Sequence, residues 1–165
     1  MTQLRSLIDD AFADPAAQTS IVKPYVLSHG TLECYSLKAS RRFYVEFLGL
    51  DCVQHGPRSM ALRCGMKFHI ICVEVGQKLR PVGYLNHWGV DVASKQAVDD
   101  AHAAAIAHRD TYGIGKVTDT VDQHGVYSFY FEDLDHNWWE IQHYEAGFQH
   151  NDIFDFGDVF DSSIA

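Results

Sequence analysis

The sequence predicts an α+β protein built from two β-α-β-β-β modules, and two internal matches carry that prediction. Ser28-His29-Gly30-Thr31-Leu32-Glu33 matches Asn86-His87-Trp88-Gly89-Val90-Asp91, with histidine second, an aliphatic residue fifth and an acid sixth, at an offset of 87 − 29 = 58. The endings match as well. Ser59-Met60-Ala61-Leu62 leads through Gly65 to Phe68-His69-Ile70-Ile71, and Ser128-Phe129-Tyr130-Phe131 leads through Asp133-Leu134-Asp135-His136-Asn137 to Trp139-Glu140-Ile141. The serines give an offset of 69 and the pair His69/Glu140 one of 71, which predicts a second turn two residues longer than the first. A self-match of this length indicates one supersecondary unit used twice.

The elements follow in order. Leu4, Leu7, Ile8, Ala11 and Phe12 recur at helical spacing, predicting an amphipathic helix over 3–13 in an N-terminal extension, 1–24, that Asp14-Pro15 ends. The first module, 25–80, opens with a strand over 25–37 whose alternation puts His29, Thr31 and Glu33 on one face and Leu32 and Cys34 on the other. A helix from Ala39 to Leu48 stops at Gly49, where a left-handed cap costs a glycine little. Strands are expected near 51–54, 59–64 and 67–75. The second module, 81–146, repeats the order: a strand over 86–92, Ser94 as N-cap, an alanine-rich helix to about Tyr112 and Gly113, then strands near 115–119, 126–132 and 138–143. The tail, 147–165, interleaves Phe148, Ile153, Phe154, Phe156, Val159 and Phe160 with Asp152, Asp155, Asp158 and Asp161. It is too apolar to be a solvated tail and reads as a docking strap.

With 165 residues, 47% hydrophobic and 13% aromatic, the chain can bury a core as one domain of two subdomains. Cys34, Cys52, Cys64 and Cys72 form no CxxC, and the N-terminus joins no basic stretch to an apolar run, so reduced thiols and a cytoplasmic location are expected. No apolar run approaches the roughly 20 residues that cross a bilayer. A net charge of −9 without a Lys/Arg cluster argues against nucleic acid or anionic membrane as partner.

The chemistry starts from the repeat. Two similar modules packed together bring His29, His87 and either His69 or Glu140 to one place, which is what a divalent transition metal with open positions needs. A lone histidine on a strand is usually structural; two at matching positions, with an acid on the closing strand, point to metal. Glu140, between Trp139 and Ile141, is costly to bury unless paired or metal-bound. Fe(II) fits a two-histidine, one-carboxylate set, and Mn(II), Zn(II) and Ni(II) accept the same ligand types. Tyr130 shares a face with Ser128 and is placed to donate to a metal-bound oxygen. His124, in the preceding loop, is a candidate acid/base. His69 is a candidate fourth ligand, acid/base or substrate contact. Trp138 and Gln142 share the Glu140 face and Ile71 that of His69, so these three are expected to line a pocket for a small, partly aromatic substrate. His136 reads as a turn residue, and His102, His108, His143 and His150 as surface or structural residues.

His29-Gly30-Thr31-Leu32 followed by Arg42-Phe43-Tyr44-Val45-Glu46-Phe47-Leu48-Gly49-Leu50, together with Phe129-Tyr130-Phe131-Glu132-Asp133-Leu134-Asp135-His136-Asn137-Trp138-Trp139-Glu140, resembles the vicinal oxygen chelate superfamily. That superfamily includes glyoxalase I, type I extradiol dioxygenases, fosfomycin-modifying thiol transferases and bleomycin-binding proteins. The resemblance covers about residues 25–145. It implies a cupped eight-stranded mixed sheet with a central metal held by His29, His87 and Glu140. It also implies an extradiol-type Fe(II) dioxygenase that cleaves a small catechol with O2, with a glyoxalase-like lyase or fosfomycin-type transferase as the alternative, and a non-catalytic binding protein as a third possibility that the ligand triad disfavours. A homodimer is expected. Ring-cleaving members carry a tyrosine at Tyr130's spacing from the glutamate. Their acid/base histidine falls at Val121 here, so His124 is displaced from the pattern, and His69 stands where a glyoxalase carries an acid.

Overall fold

Alternation of apolar and polar side chains makes Leu32 and Cys34 the buried face of the first strand, β1 (His29–Cys34), and leaves Thr31 and Glu33 exposed. The computed structural model describes residues 21, 27–65, 68–123 and 125–145. The helix expected over 3–13, the tail 147–165, His124 and His150 lie outside the described residues. The chain divides between Arg80 and Pro81 into two units.

In the first unit β1 is followed by α1 (Leu37–Glu46), β2 (Asp51–Gly56), β3 (Ser59–Arg63) and β4 (His69–Glu74). The sheet order is β1-β4-β3-β2, with β1 and β4 parallel and the other pairs antiparallel. A parallel β1–β4 pair needs a crossover, and α1 with the β2–β3 hairpin supplies it. The helix packs on β2, β3 and β4 and buries Leu37, Ser40, Phe43 and Tyr44. Its first free N–H, on Leu37, is taken by the Glu74 carboxylate at 2.9 Å, while the Ser36 side chain makes no cap. Gly49 sits at φ +70°, as the helix stop requires.

The second unit repeats the order with β5 (His87–Asp91), α2 (Lys95–Ala107), α3 (Arg109–Tyr112), β6 (Val121–Gln123), β7 (Val126–Glu132) and β8 (Trp138–Tyr144), in the sheet order β5-β8-β7-β6. Ser94 caps α2 by accepting from Ala97 N at 3.1 Å. Two expectations are corrected here. The alanine-rich helix does not run unbroken to Tyr112; His108, at φ −105° and ψ 12°, divides it into α2 and α3. The strand expected near 115–119 is a single bridge, Val117 to Phe131, and the edge strand is Val121–Gln123. Between them Thr118 Oγ1, not a main-chain carbonyl, takes the Tyr130 N–H at 2.9 Å, and pairing resumes one residue out of step, at Val121/Ser128.

The registers also correct the alignment of the closing strands. Ala61 pairs with Ile71 and Tyr130 with Glu140; His29 pairs with His69 and His87 with Trp138. The offset is therefore 69 throughout, both hairpin loops (64–68 and 133–137) have five residues, and the counterpart of Glu140 is Ile71, not His69. Side-chain chemistry alone suggests an offset two residues larger than the ladder positions have. The difference leaves every face assignment intact because strand side chains alternate with period two. His29 and His87 do hold the same place in their own sheets. No helix of the described residues is long and apolar enough to cross a membrane.

Candidate functional site

Glu140 lies in the middle of β8, across from Gly89 on β5 and Tyr130 on β7. The other face of this sheet takes the large apolar groups: Phe129, Phe131, Trp139 and Ile141 are buried, and the His102 ring of α2 meets Phe129 edge-on at 5.0 Å. Alternation therefore sends Trp138, Glu140, Gln142 and Tyr130 to the opposite face, with His87, Gly89 and Asp91 beside them. Gly89 leaves that face bare, with nothing within 4 Å of where a side chain would begin.

His87 reaches across this gap. Its Nε2 lies 3.3 Å from Glu140 Oε2, and its Nδ1 lies 2.7 Å from the Tyr84 carbonyl oxygen. A carbonyl only accepts, so Nδ1 carries the hydrogen and donates it. In the neutral ring Nε2 is then a bare lone pair aimed at a carboxylate, and two acceptors face one another. A proton or a cation between them resolves that conflict, so the pair suits a metal ion by its donor chemistry. Glu140 is only 9% exposed, which makes an unshared charge there expensive.

Tyr130 completes the group. Burial, followed by the neighbouring Glu140 carboxylate, its cross-strand partner, pushes the Tyr130 phenol up to about 12. It is thus a neutral hydrogen-bond donor around pH 7. Its ring meets His87 edge-on at 5.0 Å and Tyr84 at 6.0 Å, and Tyr84 meets Trp138 at 6.2 Å. Trp138 is nearly buried and donates its indole N–H to the Val82 carbonyl at 3.1 Å. Gln142 spends its amide on Asp91 at 2.7 Å, so its side chain orients Asp91 across the β5–β8 ladder.

In the first unit His29 and His69 are cross-strand neighbours with stacked rings, 5.7 Å apart and 20° from parallel, and Ser28 Oγ sits 2.8 Å from His29 Nδ1. Ile71 is partly buried on the same face, beside Ala61. Within each unit, no three His, Cys, Asp or Glu side chains of the described residues gather as a metal cluster. The second unit thus brings together His87, Glu140, Tyr130 and Trp138, and the first brings together His29 and His69. Sequence reasoning missed Tyr84. Its carbonyl role leaves no trace in residue identity, and only its aromatic character, three residues before a strand-opening histidine, hinted at the ring contacts.

No family model and no curated protein matches the chain. Solved structures do. A lactoylglutathione lyase from Agrobacterium tumefaciens is 21% identical with a TM-score of 0.57, the match covering 77% of this chain and all of that one. A fosfomycin resistance protein from Listeria monocytogenes is 20% identical with a TM-score of 0.59, covering 79% and 100%. A glyoxalase/bleomycin resistance protein/dioxygenase from Nocardioides is 18% identical with a TM-score of 0.59, covering 80% and 91%. The chain has the vicinal oxygen chelate fold. Its two β-α-β-β-β units are the modules of that fold, and His87, Tyr130 and Glu140 lie on the helix-free face of the second.

Proposed function

We propose that the chain is a metal-dependent enzyme acting on a small substrate that chelates through two oxygens, and that its reaction is extradiol-type cleavage of a catechol ring. The observation that carries this reading is the approach of His87 Nε2 to Glu140 Oε2 at 3.3 Å while Nδ1 is committed to the Tyr84 carbonyl. An imidazole lone pair and a carboxylate oxygen directed at one point are a ligand pair. His29, in the matching place on the other module, is the third ligand in this reading. When bound, a divalent ion, Fe(II) here, supplies Lewis acidity and open coordination positions for a diol and O2.

The chain's own residues do the rest. The Tyr84 carbonyl holds His87 in the tautomer that leaves Nε2 available. Tyr130, beside Glu140, is placed to donate a hydrogen bond to a substrate oxygen. His69, and His124 ahead of β7, are the acid/base candidates. In this reading Trp138 and Ile71 are the apolar substrate contacts contributed by their respective modules, and Gln142 holds Asp91.

A second reading, a lyase or thiol transferase, draws support from the likeness to the lactoylglutathione lyase and the fosfomycin resistance protein. Against a phosphonate substrate, the only Lys and Arg residues after Arg80 are Lys95, Arg109 and Lys116, and none is on β5, β7 or β8. Oxygen-electrode assays of the Fe(II)-loaded protein with a catechol panel test the assignment, the expected result being O2 consumption with a yellow ring-opened product. No uptake with any catechol, alongside turnover of a glutathione hemithioacetal or an epoxide, transfers the assignment to the second reading.

A further inference from the structure

We infer that Tyr84 is a specificity-determining residue that selects planar, uncharged aromatic ligands at the His87–Glu140 site. The inference rests on the functional reading above for the location of the site, and on separate observations for the ligand class.

The first is how the segment carrying Tyr84 is held. Two of its peptide carbonyls are acceptors for side chains of the site: Val82 O takes the Trp138 indole N–H at 3.1 Å and Tyr84 O takes His87 Nδ1–H at 2.7 Å. Residues 82–84 are thereby pinned at both ends to β5 and β8. The backbone that carries the Tyr84 ring is therefore held, while 54% of the residue remains exposed.

The second is what the ring faces. Tyr84 lies edge-on to both Tyr130 and Trp138, with interplanar angles of 71° and 68°, and Tyr130 lies edge-on to His87 at 70°. The approach to the pair of ligating groups is therefore flanked by three aromatic rings, of which Tyr84 is the most exposed. A ring held at its edges by neighbours and open to solvent on part of its surface offers a planar ligand an aromatic partner without reorganisation.

The third is charge. From Pro81 to Glu145 the chain has three Lys/Arg against eleven Asp/Glu, a net −8. A phosphonate or a multiply charged thiol conjugate approaching Tyr84 meets like charge and no cation on β5, β7 or β8. An uncharged ring carrying hydroxyls meets neither obstacle.

The experiment uses full-length Fe(II)-loaded protein under anaerobic conditions, buffered below the phenol pKa values of two probes so that both are uncharged: 4-nitrocatechol, which can chelate, and 4-nitrophenol, which is planar but cannot. Binding is read from probe absorbance and from quenching of tryptophan fluorescence, and the iron content of each variant is measured in parallel. Tyr84→Ala retains the peptide carbonyl and is expected to keep its iron while weakening both probes about 3-fold to 10-fold, the range of a lost aromatic contact. Tyr84→Phe is expected to bind both like the unsubstituted protein. Equal affinity in Tyr84→Ala overturns the inference, as does a loss in Tyr84→Phe as large as that in Tyr84→Ala, because the ring is then not the selecting group. Failure of the unsubstituted protein to bind either probe overturns it too. If 4-nitrocatechol binds no better than 4-nitrophenol but both weaken in Tyr84→Ala, the chelating-enzyme reading falls and the role of Tyr84 stands.

Discussion

Asp133 opens the turn that sets β8 against β7, and replacing it by asparagine is expected to change stability in a way that depends on pH. Asp133 Oδ1 accepts from Asp135 N at 2.8 Å and Asn137 N at 2.9 Å, and Oδ2 accepts from Trp139 Nε1 at 3.0 Å. An asparagine can serve only one side with its oxygen, leaving its NH2 against the other side's N–H, at a cost of about 1–3 kcal/mol. In the native protein full burial raises the Asp133 carboxyl from 3.8 to about 6, with Asp135 adding to the effect and the Trp139, Asn137 and Asp135 hydrogen bonds opposing it. A raised carboxyl pKa means the folded state holds the proton more tightly than the unfolded state. The associated stability is present at low pH and is lost as pH rises through about 4 to 6. Between pH 4.5 and pH 7.5 that loss is about 2 kcal/mol at 1.36 kcal/mol per unit. Asp133→Asn lacks this titration, so its deficit relative to the native protein should be about 2 kcal/mol larger at pH 4.5 than at pH 7.5. Urea unfolding followed by tryptophan fluorescence measures it, and Trp88, Trp138 and Trp139, the chain's three tryptophans, all lie in the second unit. An equal deficit at both pH values would refute the argument that Asp133 is protonated by burial.

The remaining predictions concern the site. His29→Ala, His87→Ala and Glu140→Ala should each abolish stoichiometric metal while circular dichroism stays unchanged, and full retention in any one removes that residue from the ligand set. Tyr130→Phe should keep the metal and lower kcat about 10²-fold to 10⁴-fold, as loss of a positioned donor does; unchanged kcat returns Tyr130 to an ordinary strand position. Trp138→Phe removes the N–H that pins Val82 O and should weaken metal affinity about 10-fold, measured by chelator competition, through looser support of the Tyr84 carbonyl. An affinity equal to that of the native protein would show that the segment needs no such pin.

The sequence made much of this legible, because it is periodic where the fold is periodic. His29 and His87 match because each opens a strand flanked by the same pattern, and the registers place them alike. Gly49 and Gly113 marked helix ends because a left-handed residue there is nearly free only for glycine, and both sit at φ +70°. His136 is the turn residue its sequence setting predicts, at φ 62°, a position a glycine would hold more cheaply, with its ring 2.7 Å from Glu132. Three features were not legible. The break at His108 has no proline or glycine to announce it. The edge strand moved to 121–123 because the Thr118 hydroxyl replaces a main-chain acceptor, a substitution invisible to hydrophobic pattern. The hold on His87 comes from a peptide carbonyl, and every residue has one of those.

The corrected register also changes what the duplication means. Subtracting 69 from Tyr130, Trp138 and Glu140 gives Ala61, His69 and Ile71, so the first unit has a methyl where the second has its phenol and an aliphatic chain where the second has its carboxylate. Of the positions that make up the site, only the histidines at the mouths of β1 and β5 are shared. The duplicated scaffold therefore supplies two equivalent frames but only one carboxylate and one phenol, and the pseudo-symmetric copy of the site cannot ligate through Ile71. His69, freed from the role of a missing acid, stacks on His29 and corresponds to Trp138, the residue that lies beside His87 in the second unit. In each sheet a flat side chain on the closing strand stands next to the opening histidine. That shared place explains a planar ring at position 69 without making it a fourth ligand.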